Sequence, residues 1–578
     1  MNHLPDPNDL DAFFNPNRWQ DPTYQASLNA DPQHQVGQRL GVVVGGSLSK
    51  GLVIKLDREV NVEELAVGRY VVVHGQRARF FCMVSDISLE STNAAIQSDP
   101  PDMGHPFMRS VYYGTVAYNL ITVTPMLMID DSEGAPRALP VKTIPRHFTP
   151  AHNASAEDVN NVFGKDDDKH FYVGSPLELQ ETRIHLNMKR LAERSVGVFG
   201  KSGTGKSFLT KILLAGLLRS GIGVTLIFDM HNDYGWEVTS ENGSSVKGLG
   251  QLFSDRVTIF TLDGESSRQR RAKFQAEITI ATSEIEPQDL ESLKLTLNLS
   301  DTMIDAAYTL SRLWGDEWIA RLLDASEDDQ AYISDNTNIP VGTFSGLQRR
   351  LERFQRWGFI TREKREDSAQ LIIDKLTNGQ SVVLEFGKYG NSLEAYMLVA
   401  NYLTRRIHAE YVRRVEISLG DKSQQPPQLM ITIEEAHKFL DPQVARQTTF
   451  GIIAREMRKY NVTLLIVDQR PSMIDEEVMS QVGTRVTALL DNERDISAVL
   501  NGVSGAASLR EVLARLETKQ QAIIMGHAVP MPVVIRPRNY DQDFYASLSG
   551  APIPNTDQVA QPQAVNRALT GNRPRRLS

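Results

Sequence analysis

The sequence GKSGTGKS at residues 200–207 constrains the fold of this chain more than any other stretch. It satisfies the pattern G-x-x-x-x-G-K-[ST] in full, with the apolar run SVGVF before it and FLTKILLAGLL after it. This pattern between a strand and a helix is typical of a loop whose backbone N–H groups surround phosphate oxygens. Lys206 would reach the β- and γ-phosphates, and Ser207 would ligate Mg²⁺. A glycine-rich turn that binds no nucleotide is the alternative, and the matching context argues against it. The predicted contacts with ATP are Gly200, Ser202, Gly203, Thr204, Gly205, Lys206 and Ser207.

Apolar runs of strand length alternate with helical segments from Ser195 onward. Most of these runs lack polar alternation, as expected for strands that are buried on both faces of a sheet. The runs are SVGVFG, GVTLIFDMH, RVTIFTL, SVVLEFG, QLMITIEEA, VTLLIVDQ, TRVTALL and QAIIMG. They predict an α/β core with a largely parallel sheet. Residues 264–380 break the alternation and are too long for a loop, so they are interpreted as a helical insertion.

The chain outside this core has a different texture. Residues 36–147 contain short β-branched runs separated by Gly, Asp and Asn, which predicts a small N-terminal β-barrel or sandwich. Residues 1–35 and 541–578 are interpreted as disordered tails from their composition. The core would therefore occupy residues 148–263 and 381–540, with brace strands at its C-terminal end.

Two adjacent carboxylates follow the apolar run LMITI directly. Glu434 and Glu435 would lie at the carboxyl edge of the sheet, where α/β proteins bind ligands. Such a pair suits two tasks, since Glu434 would hold the Mg²⁺ and its water while Glu435 polarises the attacking water. The alternative is that both residues only begin a helix and favour its positive end.

Further polar residues stand near the same predicted edge. Gln469 ends the run VTLLIVDQ and is a candidate to sense the γ-phosphate, although a turn before Pro471 is the alternative. Arg455 and Arg458 lie three residues apart on one helix face, and either a finger inserted into a neighbouring nucleotide site or a solvated basic face fits this spacing. Arg194 begins the phosphate-loop strand, far from the phosphates of its own sheet, which favours a structural or intersubunit role.

A weaker cluster follows the second core strand. Asp229, His231 and Asp233 occupy alternating positions in LIFDMHNDYGW. A metal site is one interpretation, but two carboxylates and one histidine in this spacing are weak support for it. A role for Asp233 near the catalytic water or a subunit edge is preferred.

Composition excludes several classes of protein. No run of about 18 apolar residues is present, and the N-terminus lacks a basic segment followed by an apolar one, so no membrane span or secretory signal is expected. The single cysteine, Cys82, permits no internal disulfide. A cytoplasmic protein is therefore predicted. The net charge of -9 does not indicate nucleic-acid binding. A ring-shaped protein can nevertheless line its channel with basic groups while its exterior stays acidic.

The order of these parts resembles the HerA family of hexameric DNA-translocating ATPases, which are relatives of FtsK and VirB4. The resemblance covers about residues 36–540 and is most specific in IIAREMRKYNVTLLIVDQRPSMIDEEVMSQ. It implies a RecA-like P-loop ATPase core, with Glu435 as the catalytic glutamate and Gln469 as the γ-phosphate sensor. It further implies that Arg458 is a trans-acting finger and that Arg194 is an additional site arginine. The family usually carries Asp where this chain has Glu434, and Glu where it has Asp233.

The resemblance implies a homo-hexamer that threads double-stranded DNA through a central pore. Its barrel would dock a partner, either a NurA-like nuclease or an antiviral effector such as a sirtuin-like NAD-consuming enzyme. The first hypothesis is therefore an ATP-driven translocase or helicase in DNA end processing or antiviral defence. The second is a hexameric scaffold that assembles and gates an effector according to nucleotide state. A secretion or conjugation ATPase is a weaker alternative because no membrane segment is expected.

Overall fold

The computed structural model describes residues 37–548, in two compact units that divide between residues 162 and 163. The predicted tail 1–35 and most of the predicted tail 541–578 lie outside the described residues. Short gaps within the described range are residues 94–95, 97, 100, 102–103, 113–115, 131–136, 166, 178, 180, 240–242, 244, 365, 444, 446–447, 504, 518–519.

The first unit contains an antiparallel barrel. Its strands are β1 (Arg39–Ser47), β2 (Gly51–Leu56), β3 (Tyr70–His74), β4 (Ala78–Ser91), β5 (Ala117–Asp130), β6 (Arg137–Leu139) and β7 (Pro150–Asn153). The order β2-β1-β7-β3-β4-β5 closes on itself because β2 also pairs with residues 120–123 of β5, and β6 pairs with residues 128–130 of β5. Closure removes the exposed edges that an open sheet would present. The interior is filled by apolar side chains such as Ile54, Val71 and Val123, which are fully buried.

The barrel extends beyond the predicted boundary at residue 147. Strand β7 lies between β1 and β3, with Ala151 opposite both Gly41 and Val73. Its sequence PAHN is short and begins with proline, so it carries no strand signal of its own. Its pairing is set by the two strands that flank it. Helices in the described part of this unit include Pro106–Tyr112 and Ala156–Phe163.

The second unit is built on a mixed sheet. Its strands are β8 (His170–Pro176), β9 (Ile184–Asn187), β10 (Ser195–Phe199), β11 (Gly223–Asp229), β12 (Val238–Thr239), β13 (Ser245–Val246), β14 (Val257–Thr261), β15 (Ala276–Glu277), β16 (Ile280–Ala281), β17 (Ile360–Thr361), β18 (Ser381–Glu385), β19 (Gln428–Glu434), β20 (Val462–Asp468), β21 (Val482–Thr487), β22 (Ala522–Gly526) and β23 (Val533–Pro537). The main sheet has the order β15-β14-β18-β11-β19-β20-β10-β21-β22-β23-β8-β9. Strands β15 to β21 in that order are parallel, and the remainder are antiparallel.

Helices cover this sheet and form the insertion. Outside the insertion they are Met188–Ala192, Lys206–Ser220, Leu249–Leu252, Leu393–Ser418, His437–Leu440, Thr449–Glu456, Glu476–Gln481, Glu493–Leu500, Ala506–Ala514 and Gln542–Leu548. Within residues 264–380 they are Gly264–Gln269, Pro287–Glu291, Asp301–Trp314, Trp318–Asp324, Glu327–Asn336, Val341–Leu351 and Ser368–Thr377. The insertion also contributes β15 to the edge of the main sheet. None of the described helices combines the length and the hydrophobicity needed to cross a membrane.

The C-terminal end of the core departs from the sequence expectation. Residues Gln542–Leu548 form a helix where a disordered tail was predicted. Phe544 is almost fully buried, and its ring lies 6.3 Å from that of Phe171 on β8. The helix is thus held by a tertiary contact with a strand far away in the sequence, which composition could not indicate.

Candidate functional site: the carboxyl edge of the parallel sheet

The loop after β10 has the backbone that its glycines permit. Gly203 and Gly205 have φ angles of 77° and 88°, a region that residues with a Cβ rarely adopt. A Cβ at Gly200 would lie 2.7 Å from Thr204 Oγ1, so this glycine is also required by space. Thr204 Oγ1 donates to the carbonyl of Lys201 at 2.8 Å, which closes the loop on itself. The loop leads directly into the helix Lys206–Ser220. The backbone N–H groups at the N-terminus of this helix favour binding of an anion such as phosphate.

Lys206 lies folded across this loop. Its Nζ donates to the carbonyl of Lys201 at 2.9 Å, a bond that a phosphate oxygen can replace. Burial lowers the pKa of Lys206, and the charges of Glu435, Asp468 and Glu434 act in the opposite direction. The ammonium group therefore lies near Glu434 and Glu435, the two carboxylates that the sequence placed at the catalytic edge.

Glu434 ends β19 as a buried carboxylate. Tyr234 Oη donates to its Oε1 at 2.9 Å, while its Oε2 has no hydrogen-bond partner among the described residues. Burial raises the pKa of Glu434 to about 7. A buried carboxylate with one oxygen fixed and one left open has the donor chemistry of a magnesium site, because Mg²⁺ prefers oxygen ligands. Together with Ser207 at the start of the facing helix, these residues fit the predicted metal.

Glu435 has an unusual backbone and a defined partner. Its φ angle is 48°, in the left-handed region that side chains other than glycine rarely occupy. Its Oε1 accepts a hydrogen bond from Gln469 Nε2 at 3.0 Å. In the sheet, Glu434 stands opposite Val467, so the residues after each strand meet at the same level. The local strain is of the kind found where a catalytic group must be held in one orientation.

Strand order explains this meeting of side chains. Strand β20, which ends just before Gln469, lies between β10 and β19. Phe199 on β10 stands opposite Asp468 on β20. The amide of Gln469 is thereby placed between the phosphate loop and Glu435, where one group can contact both a γ-phosphate and an attacking water.

Comparisons with known proteins point the same way. The family model described as "Helicase HerA, central domain" matches residues 171–407, and the "HAS barrel domain" model matches residues 40–105. A "DNA double-strand break repair helicase HerA" of Pyrococcus furiosus is 24% identical over 459 residues, covering 73% of this chain and 78% of that protein. Its counterpart in Saccharolobus solfataricus is 23% identical, covering 67% and 72%. These matches confirm the resemblance to the HerA helicase family that the sequence indicated.

The chain also has a more distant likeness to solved structures. VirB4 of Thermoanaerobacter pseudethanolicus aligns with a TM-score of 0.41 and 14% identity, over 65% of this chain and 98% of that one. The bacterial conjugative coupling protein TrwBdeltaN70 aligns with a TM-score of 0.43 and 12% identity, over 68% and 93%. The two family-model matches and the strand order confirm the predicted fold, a P-loop ATPase core that follows a small β-barrel in the sequence. The family-model match and the curated relatives confirm the predicted enzyme class of an ATP-hydrolysing HerA-type helicase or translocase.

The predicted arginines lie at the opposite edge of the sheet. Arg194 and Arg458 both line a cleft of about 730 Å³ beside the amino-terminal ends of β10, β20 and β21. Arg455 and Arg485 line the same cleft. Arg194 and Arg458 are exposed. The structure therefore brings the two predicted arginines together but places them away from the phosphate loop of their own chain.

The weaker cluster after β11 is a structural cap. The carboxylate of Asp229 accepts backbone N–H groups from Asp233 at 2.7 Å, Tyr234 at 2.8 Å and Gly235 at 3.0 Å. No group of three metal-ligating side chains occurs among the residues that the structure describes. The metal interpretation of Asp229, His231 and Asp233 is thus wrong, because the carboxylate that it needs already fixes the turn.

Two functional residues were missed by sequence reasoning. Tyr234 is fully buried and holds Glu434, although the two are 200 residues apart. Asp468 is also buried and accepts from His437 N at 2.7 Å and from its Nδ1 at 3.0 Å, which raises the pKa of His437. This pair fixes the turn that follows Glu435. The polar positions at strand ends were visible in the sequence, but their partners were not.

Proposed function

We propose that this chain is the ATP-hydrolysing subunit of a ring that translocates or unwinds double-stranded DNA. The observation that carries the proposal is the contact of Gln469 with Glu435 beside the phosphate loop. A carboxylate held by an amide next to a triphosphate site is suited to activate water rather than to bind a second substrate. A motor requires transfer of the γ-phosphoryl group to water rather than to a second substrate.

The residues at this edge of the sheet then divide the tasks of ATP binding and hydrolysis. The backbone of residues 200–207 binds the phosphates of ATP, and Lys206 replaces its carbonyl partner with the β- and γ-oxygens. Ser207 and Glu434 would hold Mg²⁺, which supplies charge neutralisation at those oxygens. Glu435 takes the proton from the attacking water, and Gln469 orients this carboxylate and contacts the γ-phosphate.

The proposal of DNA as the substrate is supported by the curated relatives, which are named as DNA double-strand break repair helicases. The proposal of a homo-hexamer is supported by the cleft that contains Arg194 and Arg458. An arginine on this edge has no phosphate of its own chain to contact, whereas the nucleotide edge of a neighbouring subunit would provide one. Arg458 then acts as the trans-acting finger and Arg194 supports it.

The N-terminal barrel is proposed to dock a partner. Its closed six-strand arrangement leaves few backbone groups unpaired, so a partner would bind through side chains rather than by adding a strand. A NurA-like nuclease or an antiviral effector, sirtuin-like or a nuclease, is the partner that the family resemblance suggests. A scaffold that only gates such an effector is an outcome that the experiment below separates from a motor.

The test measures ATP hydrolysis by the full chain with and without duplex DNA. Glu435→Gln should reduce turnover by about 100-fold or more, because general-base catalysis contributes roughly 10²- to 10⁴-fold. The matched control is Glu416→Gln, at an exposed position near the end of the helix Leu393–Ser418, which should match the wild type. DNA should stimulate the wild type. Hydrolysis that ignores DNA but responds to a bound partner would favour the gating scaffold, and turnover by Glu435→Gln at the wild-type rate would refute the proposed base.

A further inference from the structure

An aromatic side chain stands directly beside the phosphate loop. Phe208 follows Ser207 and is the third residue of the helix Lys206–Ser220. Its side chain is 41% exposed, whereas Leu209 and Thr210, the next two residues, are buried. A large apolar ring left open to solvent at this position has no role in the core of the unit.

A second ring reaches Phe208 from the C-terminal end of the core. Tyr540 follows β23, and its ring centroid lies 6.1 Å from that of Phe208 with the planes inclined by 50°. Tyr540 Oη donates to the carbonyl of Lys247 at 3.1 Å. Its ring also packs 4.8 Å from that of Phe544. The second ring is therefore held in place by its own contacts.

The ammonium group of Lys211 lies close to both rings. Its Nζ lies 5.6 Å from the centroid of Phe208 and 5.8 Å from that of Tyr540. The residue is only 3% exposed, and burial lowers its pKa. An ammonium group at this distance from an aromatic face is attracted to it. Phe208 therefore contacts Lys211 and Tyr540 with part of its surface and leaves the remainder exposed.

We propose that Phe208, supported by Tyr540, is the platform on which the base of the bound nucleotide stacks. The inference rests on the proposed function, since it requires ATP at residues 200–207. With the terminal phosphates in the loop and on Lys206, the nucleoside leaves the loop along the first turn of the helix, where Phe208 is the next side chain. A flat apolar ring is complementary to the face of a purine.

Stacking has a defined contribution that a test can measure. Removal of an aromatic platform costs about 1–3 kcal/mol per base, which corresponds to about 5- to 150-fold in affinity. The loss should affect the nucleotide but not its phosphates, because Phe208 contributes no polar side-chain atom to the loop. Trp at this position should preserve binding, since it offers a larger ring.

The experiment titrates the full chain with two probes, the non-hydrolysable ATP analogue AMPPNP and inorganic tripolyphosphate, by calorimetry. Phe208→Ala should weaken AMPPNP about 5- to 150-fold and leave tripolyphosphate unchanged, and Phe208→Trp should retain AMPPNP. The matched control is Phe107→Ala, which removes a ring that is 66% exposed in the barrel unit. Equal AMPPNP affinity of Phe208→Ala and the wild type, or equal weakening of both probes, would overturn the inference. Failure of the wild type to bind either probe would instead overturn the proposed function on which it rests.

Discussion

The hydrogen bond from Tyr234 to Glu434 offers the sharpest test of how the predicted magnesium carboxylate is held. Tyr234→Phe removes only the hydroxyl that donates to Glu434, and the aromatic ring keeps its packing. Tyr234 and Glu434 are both buried. Oε2 of Glu434 already has no partner among the described residues. The substitution would therefore leave the carboxylate without any described side-chain hydrogen bond in a buried position.

The magnitude follows from the geometry. A buried hydrogen bond to a charged group contributes about 1.5–3 kcal/mol. Loss of a residue that orients a metal ligand typically reduces metal affinity by about 10- to 100-fold. The hydroxyl also counteracts the effect of burial on Glu434, so its loss should raise the pKa of that carboxyl further above about 7. Both effects weaken Mg²⁺ binding near neutral pH, since the ligand must be ionised.

The assay follows binding of a fluorescent ATP analogue as Mg²⁺ is titrated. For Tyr234→Phe we expect the Mg²⁺ midpoint to rise by about 10- to 100-fold, while affinity measured without Mg²⁺ stays unchanged. The control is Tyr411→Phe, because Tyr411 is equally buried but its hydroxyl has no partner among the described residues. If Tyr234→Phe and Tyr411→Phe share the wild-type midpoint, the hydrogen bond does not position the metal ligand and the reasoning is refuted.

Three further predictions concern stability, each checked by thermal unfolding of the nucleotide-free chain. Burial raises the pKa values of Glu434 and Asp229 to about 7, so near neutral pH the folded state holds protons that the unfolded state has released. The free energy of unfolding should therefore fall as pH rises from about 5 to 7, by roughly 3 kcal/mol at most for each carboxyl. If Glu434→Gln leaves this dependence of stability on pH unchanged, the prediction is contradicted. Gly205→Ala should cost about 1–2 kcal/mol through its φ of 88° alone, because no atom lies within 4 Å of the added Cβ, and an unchanged midpoint would count against this strain. Arg79→Ala should destabilise the barrel by about 3–5 kcal/mol, since it removes the charged partner of the buried Asp158, whose other carboxylate oxygen accepts hydrogen bonds from Ser155. A loss of stability below about 1 kcal/mol, typical of an exposed pair, would disprove it.

Much of the site could be predicted because its signals are local. The phosphate loop, its strand and its helix occupy one continuous segment, so the pattern of residues 200–207 carries both the chemistry and the backbone that it needs. Glu434, Glu435 and Gln469 were recognisable because each ends or directly follows a strand that is buried on both faces. Parallel strands place their carboxyl ends at one edge of the sheet, so the sequence alone predicts that these residues lie close together.

Only the tertiary structure determined which side chains from distant segments contact each other. The insertion of β20 between β10 and β19 set the distance from Gln469 to Glu435, and the hydroxyl of Tyr234 reached Glu434 across 200 residues of sequence. Strand β7 could not be predicted from the sequence, because its four residues begin with proline and carry no strand pattern. They form a strand only by pairing with β1 and β3 on either side. The sequence by itself determined the class of fold and the chemistry of its edge, since both depend on periodicity and short motifs. Contacts between distant segments depend on strand order and packing, which no local pattern encodes.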